Sequence, residues 1–389
     1  MAEERAYWLA WSKIPGMGAV LIRRLHLHFG TLTAAWNATP ARLMAVDGVG
    51  LQTAEAVVAE RRQVDPMQLL AQHERENPCF WTPADPDYPR LLLEIPDPPP
   101  ILYYYGSVDP LENQGITPTI AIVGTRDPSD YGRRWARKLS AALVQAGFTV
   151  VSGLAEGIDT EVHQSCLGAG GRTIAVLGTG VDVVYPAFNR KLAKQITEQG
   201  LLLSEYPFGT QPDRLHFPRR NRIIAGLCRA TLVLEAPHKS GALITARLAN
   251  EYSRDVYALP GTLDNHRSRG CLELLNQGAH LILGEKELLE ALGTIPKLQW
   301  QPPVASMAST NQLSTNQLSF LAIEPSNSQS IRLEPDLQMV LQAVPLEPVN
   351  IDRVVQQAGL ATGTVLSALA QLELMGLVSQ LPGMRYQRQ

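Results

Sequence analysis

Between residues 119 and 292, short apolar runs alternate with segments of helical period, and this alternation constrains the fold more than any other feature of the chain. Strands are predicted over 119–123, 149–152, 173–177, 201–204, 232–235, 255–259 and 280–283, with helices between them. The runs are continuously apolar, so helices must cover both faces of the sheet they form. That is the pattern of a mostly parallel, doubly wound α/β sheet. In such a sheet, ligands bind where strands end and helices begin. Here the strand ends read Val123-Gly124-Thr125-Arg126, Ser152-Gly153-Leu154-Ala155 and Leu177-Gly178-Thr179-Gly180. Small residues at consecutive ends leave a shallow floor.

The flanking sequence differs in kind. Residues 1–75 read as helices interrupted twice by the same motif, Ile14-Pro15-Gly16-Met17-Gly18 and Val46-Asp47-Gly48-Val49-Gly50, each followed by a helical run. This is the pattern of a paired helix-hairpin-helix (SAM-like) module. Its glycines let backbone N–H groups approach a phosphate, and the same turns also suit a small helical bundle that contacts protein. A second unit is predicted over 76–295. It opens with a proline-rich stretch, 81–106, expected to be extended chain ending in a strand and wrapping the sheet edge. Residues 296–332 carry a near-duplicated Ser-Thr-Asn-Gln-Leu among Pro, Ser and Gln, the composition of a flexible linker. Three helices and a hairpin around Pro382-Gly383 then suggest a winged helix over 333–389. Its candidate recognition helix, 362–375, carries Glu373 and no Lys or Arg, which favours a protein contact over groove reading.

The chemistry concentrates at Phe217-Pro218-Arg219-Arg220-Asn221-Arg222 and at Ser240-Gly241-Ala242. Both mark helix starts flanking one buried strand, where free N–H groups and the helix dipole favour an anion. Arginine forks suit phosphate oxygens, so Arg126 and the Arg219–Arg222 group are expected to project into the floor. The net charge of −3 confines any nucleic-acid affinity to such a local patch. Neither a dinucleotide fingerprint nor a P-loop is present, and Cys79, Cys166, Cys228 and Cys271 have no zinc-ligand spacing, so no cofactor or metal is expected. Asp159, His163, Asp182, Glu205 and Glu235 could supply acid–base groups, with Ser152 or Ser240 as a hydroxyl, but no catalytic spacing connects them. The charged start Met-Ala-Glu-Glu-Arg and the lack of a bilayer-length apolar run point to a cytoplasmic protein without membrane contact.

Taken together, the motifs resemble the DNA-processing protein A family (DprA, also called Smf). The match runs from Tyr88-Pro89 through Leu292. It includes Gly124-Thr125-Arg126, Ser152-Gly153-Leu154-Ala155-x-Gly157-Ile158-Asp159, Tyr185-Pro186, Phe217-Pro218-x-Arg220-Asn221-Arg222 and Ser240-Gly241-Ala242-Leu243. The resemblance implies an extended Rossmann fold acting as a homodimer. It implies binding of single-stranded DNA, displacement of single-strand-binding protein and loading of RecA recombinase in natural transformation, without catalytic turnover. Carried onto this chain, the DNA site comprises Gly124, Arg126, Ser152, Gly153, Arg219, Arg220, Asn221, Arg222, Ser240 and Gly241, with Lys191 and Lys194 as further backbone contacts. Phe188 or Phe217 would stack on a base or simply pack. The alternative is a nucleotide-processing Rossmann enzyme, like the nucleoside-monophosphate phosphoribohydrolases. Against it, Pro237-His238-Lys239-Ser240-Gly241-Ala242 lacks their glycine run and aligned acid.

Overall fold

The computed structural model describes residues 2–293, 335–345, 349–374, 377–381 and 385–388. They fall into two compact units, the described residues up to 293 in the first and those from 335 in the second. The expected flexible linker, 296–332, lies outside the described residues, as does the Pro382-Gly383 turn.

The first unit begins with six helices: α1 (Ala2–Lys13), α2 (Ala19–Phe29), α3 (Leu32–Trp36), α4 (Pro40–Leu43), α5 (Leu51–Arg61) and α6 (Pro66–Glu76). The two hairpins share one backbone path. Gly16 and Gly48 take φ of 81° and 87°, which side chains avoid. Gly18 and Gly50 then cap α2 and α5 with φ/ψ of −83°/169° and −84°/176°. Met17 and Val49 turn inward beneath the hairpins, into a core with Trp8, Trp11, Ile22 and Val57. Arg24 is bound by the second hairpin, through the Asp47 carbonyl at 2.9 Å and carboxylate at 2.8 Å.

The sheet has nine strands in the spatial order β1, β2, β6, β5, β4, β3, β7, β8, β9. They are β1 (Phe80–Trp81), β2 (Leu102–Gly106), β3 (Thr119–Val123), β4 (Thr149–Ser152), β5 (Thr173–Leu177), β6 (Leu201–Ser204), β7 (Ala230–Val233), β8 (Asp255–Ala258) and β9 (His280–Leu281). From β6 to β9 every pairing is parallel, whereas β2 meets β6 and β1 antiparallel. One part of the proline-rich stretch departs from the extended chain expected. The proline-free Arg-Leu-Leu-Leu-Glu between Pro89 and Ile95 closes into α7 (Arg90–Glu94), because Leu91 and Leu92 can be buried. A four-residue helix, α8 (Pro110–Asn113), leads into β3.

Alternation along β3 divides the core. Ala121 and Val123 face a layer built from α12 (His216–Leu227), α13 (Gly241–Glu251) and α14 (Arg269–Asn276). Ile120 and Ile122 face α9 (Asp130–Gln145), α10 (Ile158–Gly168) and α15 (Glu285–Gly293). Both faces are thus covered, as continuously apolar strands require. Towards β2, Leu9 and Leu70 of the helical segment join Phe80, Tyr103, Leu177 and Leu202, with Leu192 of α11 (Arg190–Gln199), in one cluster. The chain runs β3 to β6 in one direction, then returns to place β7 on the other side of β3. A topological switch point therefore opens at the carboxyl ends of β3, β4 and β7.

The second unit is a winged helix. Its helices are α16 (Pro335–Ala343), α17 (Ile351–Ala358) and α18 (Thr362–Leu374), and its wing is β11 (Val378–Leu381) with β12 (Arg385–Arg388). A two-residue strand, β10 (Val349–Asn350), also pairs with β12 and has no counterpart in the sequence reading. Val340, Val354, Val365, Leu369 and Tyr386 make its core.

Candidate nucleic-acid interface

At the switch point lies an open cleft of about 670 Å³. Its lining includes Gly124 and Arg126 after β3, Arg220 and Asn221 on α12, and Ser240 and Gly241 at the start of α13. Six sequence-predicted residues from three βα units thus meet in one place.

Arg220 forms the floor. It is 5% exposed, and its Nη1 donates to the carbonyls of Gly153, at 2.6 Å, and Val176. Burial lowers the guanidinium pKa to about 10, against the pull of Asp159, so it remains a cation at neutral pH. Burial likewise raises the pKa of Asp159, whose Oδ2 accepts from the amides of Gly153 and Ala155 at 3.1 and 3.3 Å. Those two bonds fix the loop that receives Arg220. Gly153 belongs to the same floor and lines a small pocket beside the cleft, with Arg126, Tyr185 and Phe217.

Arg126 is the exposed cation. Its guanidinium stands 5.9 Å from the Phe217 ring centroid and makes no ion pair with any described residue. The turn of Gly157, at φ 86°, brings its Cα so close to the Thr125 and Arg126 carbonyls that a Cβ has no room. Across the cleft Ser240 accepts from the amide of Ala242 at 3.3 Å and so caps α13, while Asn221 Nδ2 donates to Gly241 O at 3.2 Å. This last bond ties the middle of α12 to the start of α13; α12 begins at His216, so Arg219–Arg222 lie within the helix and not at the helix start expected from the sequence.

Other predicted residues lie elsewhere. Ser152 is fully buried and donates to Ile122 O at 2.7 Å. Arg222 points to the opposite side of α12, bidentate on Glu205 at 2.7 and 2.8 Å and 2.9 Å from an Asp97 carboxylate oxygen. Arg219 is exposed but outside the cleft lining, and Lys191 and Lys194 are exposed on α11. Lys194 lines a different groove, with Tyr105 and Phe208. Conversely, Arg214 lines the cleft although it precedes the arginine motif. A charged pair, Asp213-Arg214, leading into a helix was the available signal.

The acid–base candidates are occupied structurally. Glu235 accepts from the Ser129 amide at 2.8 Å and the Ser129 hydroxyl at 2.6 Å. Asp182 accepts from the Gly209 amide at 2.9 Å. His163 is fully buried with Nδ1 2.8 Å from Thr173 Oγ1, and burial lowers its pKa to about 3. Among the described residues, no group of His, Cys, Asp and Glu could hold a metal ion. No helix among them is long and apolar enough to cross a membrane.

Three family models match the sequence: DNA recombination-mediator protein A over residues 79–293, the DprA winged helix domain over 324–384, and a SAM-like helix-hairpin-helix tandem over 11–63. The chain is 52% identical to Protein Smf of Synechocystis sp. over 393 residues, which covers 99% of each. It is 44% identical to DNA processing protein DprA of Streptococcus pneumoniae over 235 residues, which covers 60% of this chain and 81% of that one. The X-ray structure of the S. pneumoniae DprA superposes with a TM-score of 0.64 at 35% identity, covering 73% of this chain and 97% of that chain.

Proposed function

The chain belongs to the DNA recombination-mediator protein A family, and on that premise we propose that its cleft binds single-stranded DNA through the phosphodiester backbone. The observation that carries this is an exposed Arg126, without an ion pair among the described residues, above the buried Arg220 cation in one cleft open to solvent. An open cleft admits a chain that enters and leaves, and two cations beside the start of α13 suit consecutive phosphates. Tyr185 and Phe217, 5.6 Å apart between ring centroids, add an aromatic wall for unpaired bases. The remaining proposed DNA contacts are Gly124, Gly153, Asn221, Ser240 and Gly241 in and beside the cleft, with Arg214 at its edge.

In this reading the protein works in the cytoplasm as a homodimer. It takes single strands from single-strand-binding protein and loads RecA onto them during natural transformation, without catalytic turnover. The family description as a recombination mediator supports that role, as does the engagement of Glu235 in bracing Ser129. Anisotropy of a labelled oligo-dT against the matching duplex tests the binding. Single-strand binding that Arg126→Ala weakens supports it, and equal affinity of both proteins refutes it. Faster RecA filament assembly on strands coated with single-strand-binding protein tests the loading step.

A further inference from the structure

The cleft does not end at Arg126. Beyond that side chain a second groove of about 390 Å³ opens, lined by Arg126, Arg133, Glu156, Glu161 and Phe188 among others. The small pocket that holds Gly153 and Phe217 shares Arg126 with both and Glu156 with the groove, so the surface is continuous.

Phe188 is 61% exposed. Single exposed apolar residues are ordinary on protein surfaces, but this one is not on a loose loop. It sits on the one-turn helix Ala187–Asn189, whose last residue is buried and donates to Leu154 O at 3.0 Å and to Thr160 Oγ1 at 2.9 Å. A solvent-facing ring carried on an anchored turn at the side of a groove is a stacking platform placed in advance.

The opposite wall is α9. Arg133 and Arg137 share one carboxylate, that of Glu161, at 3.1 and 2.8 Å, so the trio retains one positive charge. Burial opposes ionisation of Glu161, but the hydrogen bonds from Arg137 and Arg133 outweigh it and its pKa falls. Asp127 is held by Arg267 at 2.5 Å. Glu156 has no ion pair among the described residues and repels phosphate where the two spaces join. A strand passing there is favoured with its phosphates towards α9 and its bases towards Phe188.

We infer that single-stranded DNA held in the cleft continues past Arg126 into this groove, where Phe188 stacks on a base beside the Arg133–Arg137 edge of α9. The inference rests on the single-strand reading of the cleft, and oligo-dT of increasing length separates the two. Wild-type affinity should rise in two stages as the strand first fills the cleft and then reaches the groove. Phe188→Ala should match the wild type on the shortest strand that binds and lose at least about fivefold on long ones, with Phe188→Tyr restoring the second stage. Phe188→Ala equal to wild type at every length, as expected of a ring serving a protein partner, would overturn the inference. So would an equal loss at every length. Failure of the cleft reading shows differently: Arg126→Ala would bind the shortest strand as well as wild type, and both proposals would fall.

Discussion

The guanidinium of Arg220 lies so close beneath Gly153 that a Cβ built on that glycine would stand 2.5 Å from Nη1. A residue of β4's carboxyl-end loop and a residue of α12 therefore share one space, and neither can change alone.

Gly153→Ala should displace Arg220 from the Gly153 and Val176 carbonyls. Overpacking of this kind costs about 1–3 kcal/mol, and DNA binding should weaken with it. Urea denaturation and anisotropy read the two effects. Unchanged affinity in a folded Gly153→Ala protein would remove Arg220 from the DNA site.

Arg126→Ala removes an exposed side chain without an ion-pair partner among the described residues, so stability should change by no more than about 0.5 kcal/mol. Single-strand affinity should fall about tenfold, and the slope of log K against log salt should shrink by about 1, as for one lost phosphate contact. Titrations at several salt concentrations measure both.

Arg222→Ala should behave in the opposite way. It leaves Glu205 and Asp97 facing each other without their cation, and because both carboxylates are partly exposed the loss should cost about 1–3 kcal/mol, short of that for a fully buried pair. The denaturation midpoint should drop sharply. Lost binding with an unchanged midpoint would instead place Arg222 on the DNA.

Acid should destabilise the first unit through His163. Burial holds folded His163 neutral down to about pH 3, against the ordinary histidine value of 6.5, so the unfolded chain binds the proton first. The stability that its neutral form allows is complete above 6.5 and is lost as pH falls towards 3, by up to about 1.4 kcal/mol per pH unit. His163→Gln should reduce the difference in unfolding free energy between pH 7 and 4.5 by about 2 kcal/mol. Parallel losses in both proteins would exclude His163 as the source.

The strand-end glycines and the alternation of strands and helices were legible in the sequence because β-period and turn chemistry are local. Phe80–Trp81 was not, since two residues hold no period and its partner, β2, lies across a proline-rich stretch. The roles of Arg220 and Arg222 could not be separated either. Two helix positions apart, they point to opposite sides, and the carboxylates that claim Arg222 belong to distant segments. The resemblance put Ser152 among the DNA contacts, but its hydroxyl is taken by the neighbouring strand.

The ion cluster behind α12 has a consequence for the DNA more than for the protein. On the proposed reading, Asp97, Arg222 and Glu205 hold the helix from its rear before a strand arrives, so capture should need little protein motion. The conformational burden then falls on the strand. Pyrimidine tracts are already loose, whereas purine runs must first be unstacked. Preference among sequences should follow the stiffness of the free polymer, oligo-dT over oligo-dA, and the gap should narrow on warming as the adenines unstack of their own accord.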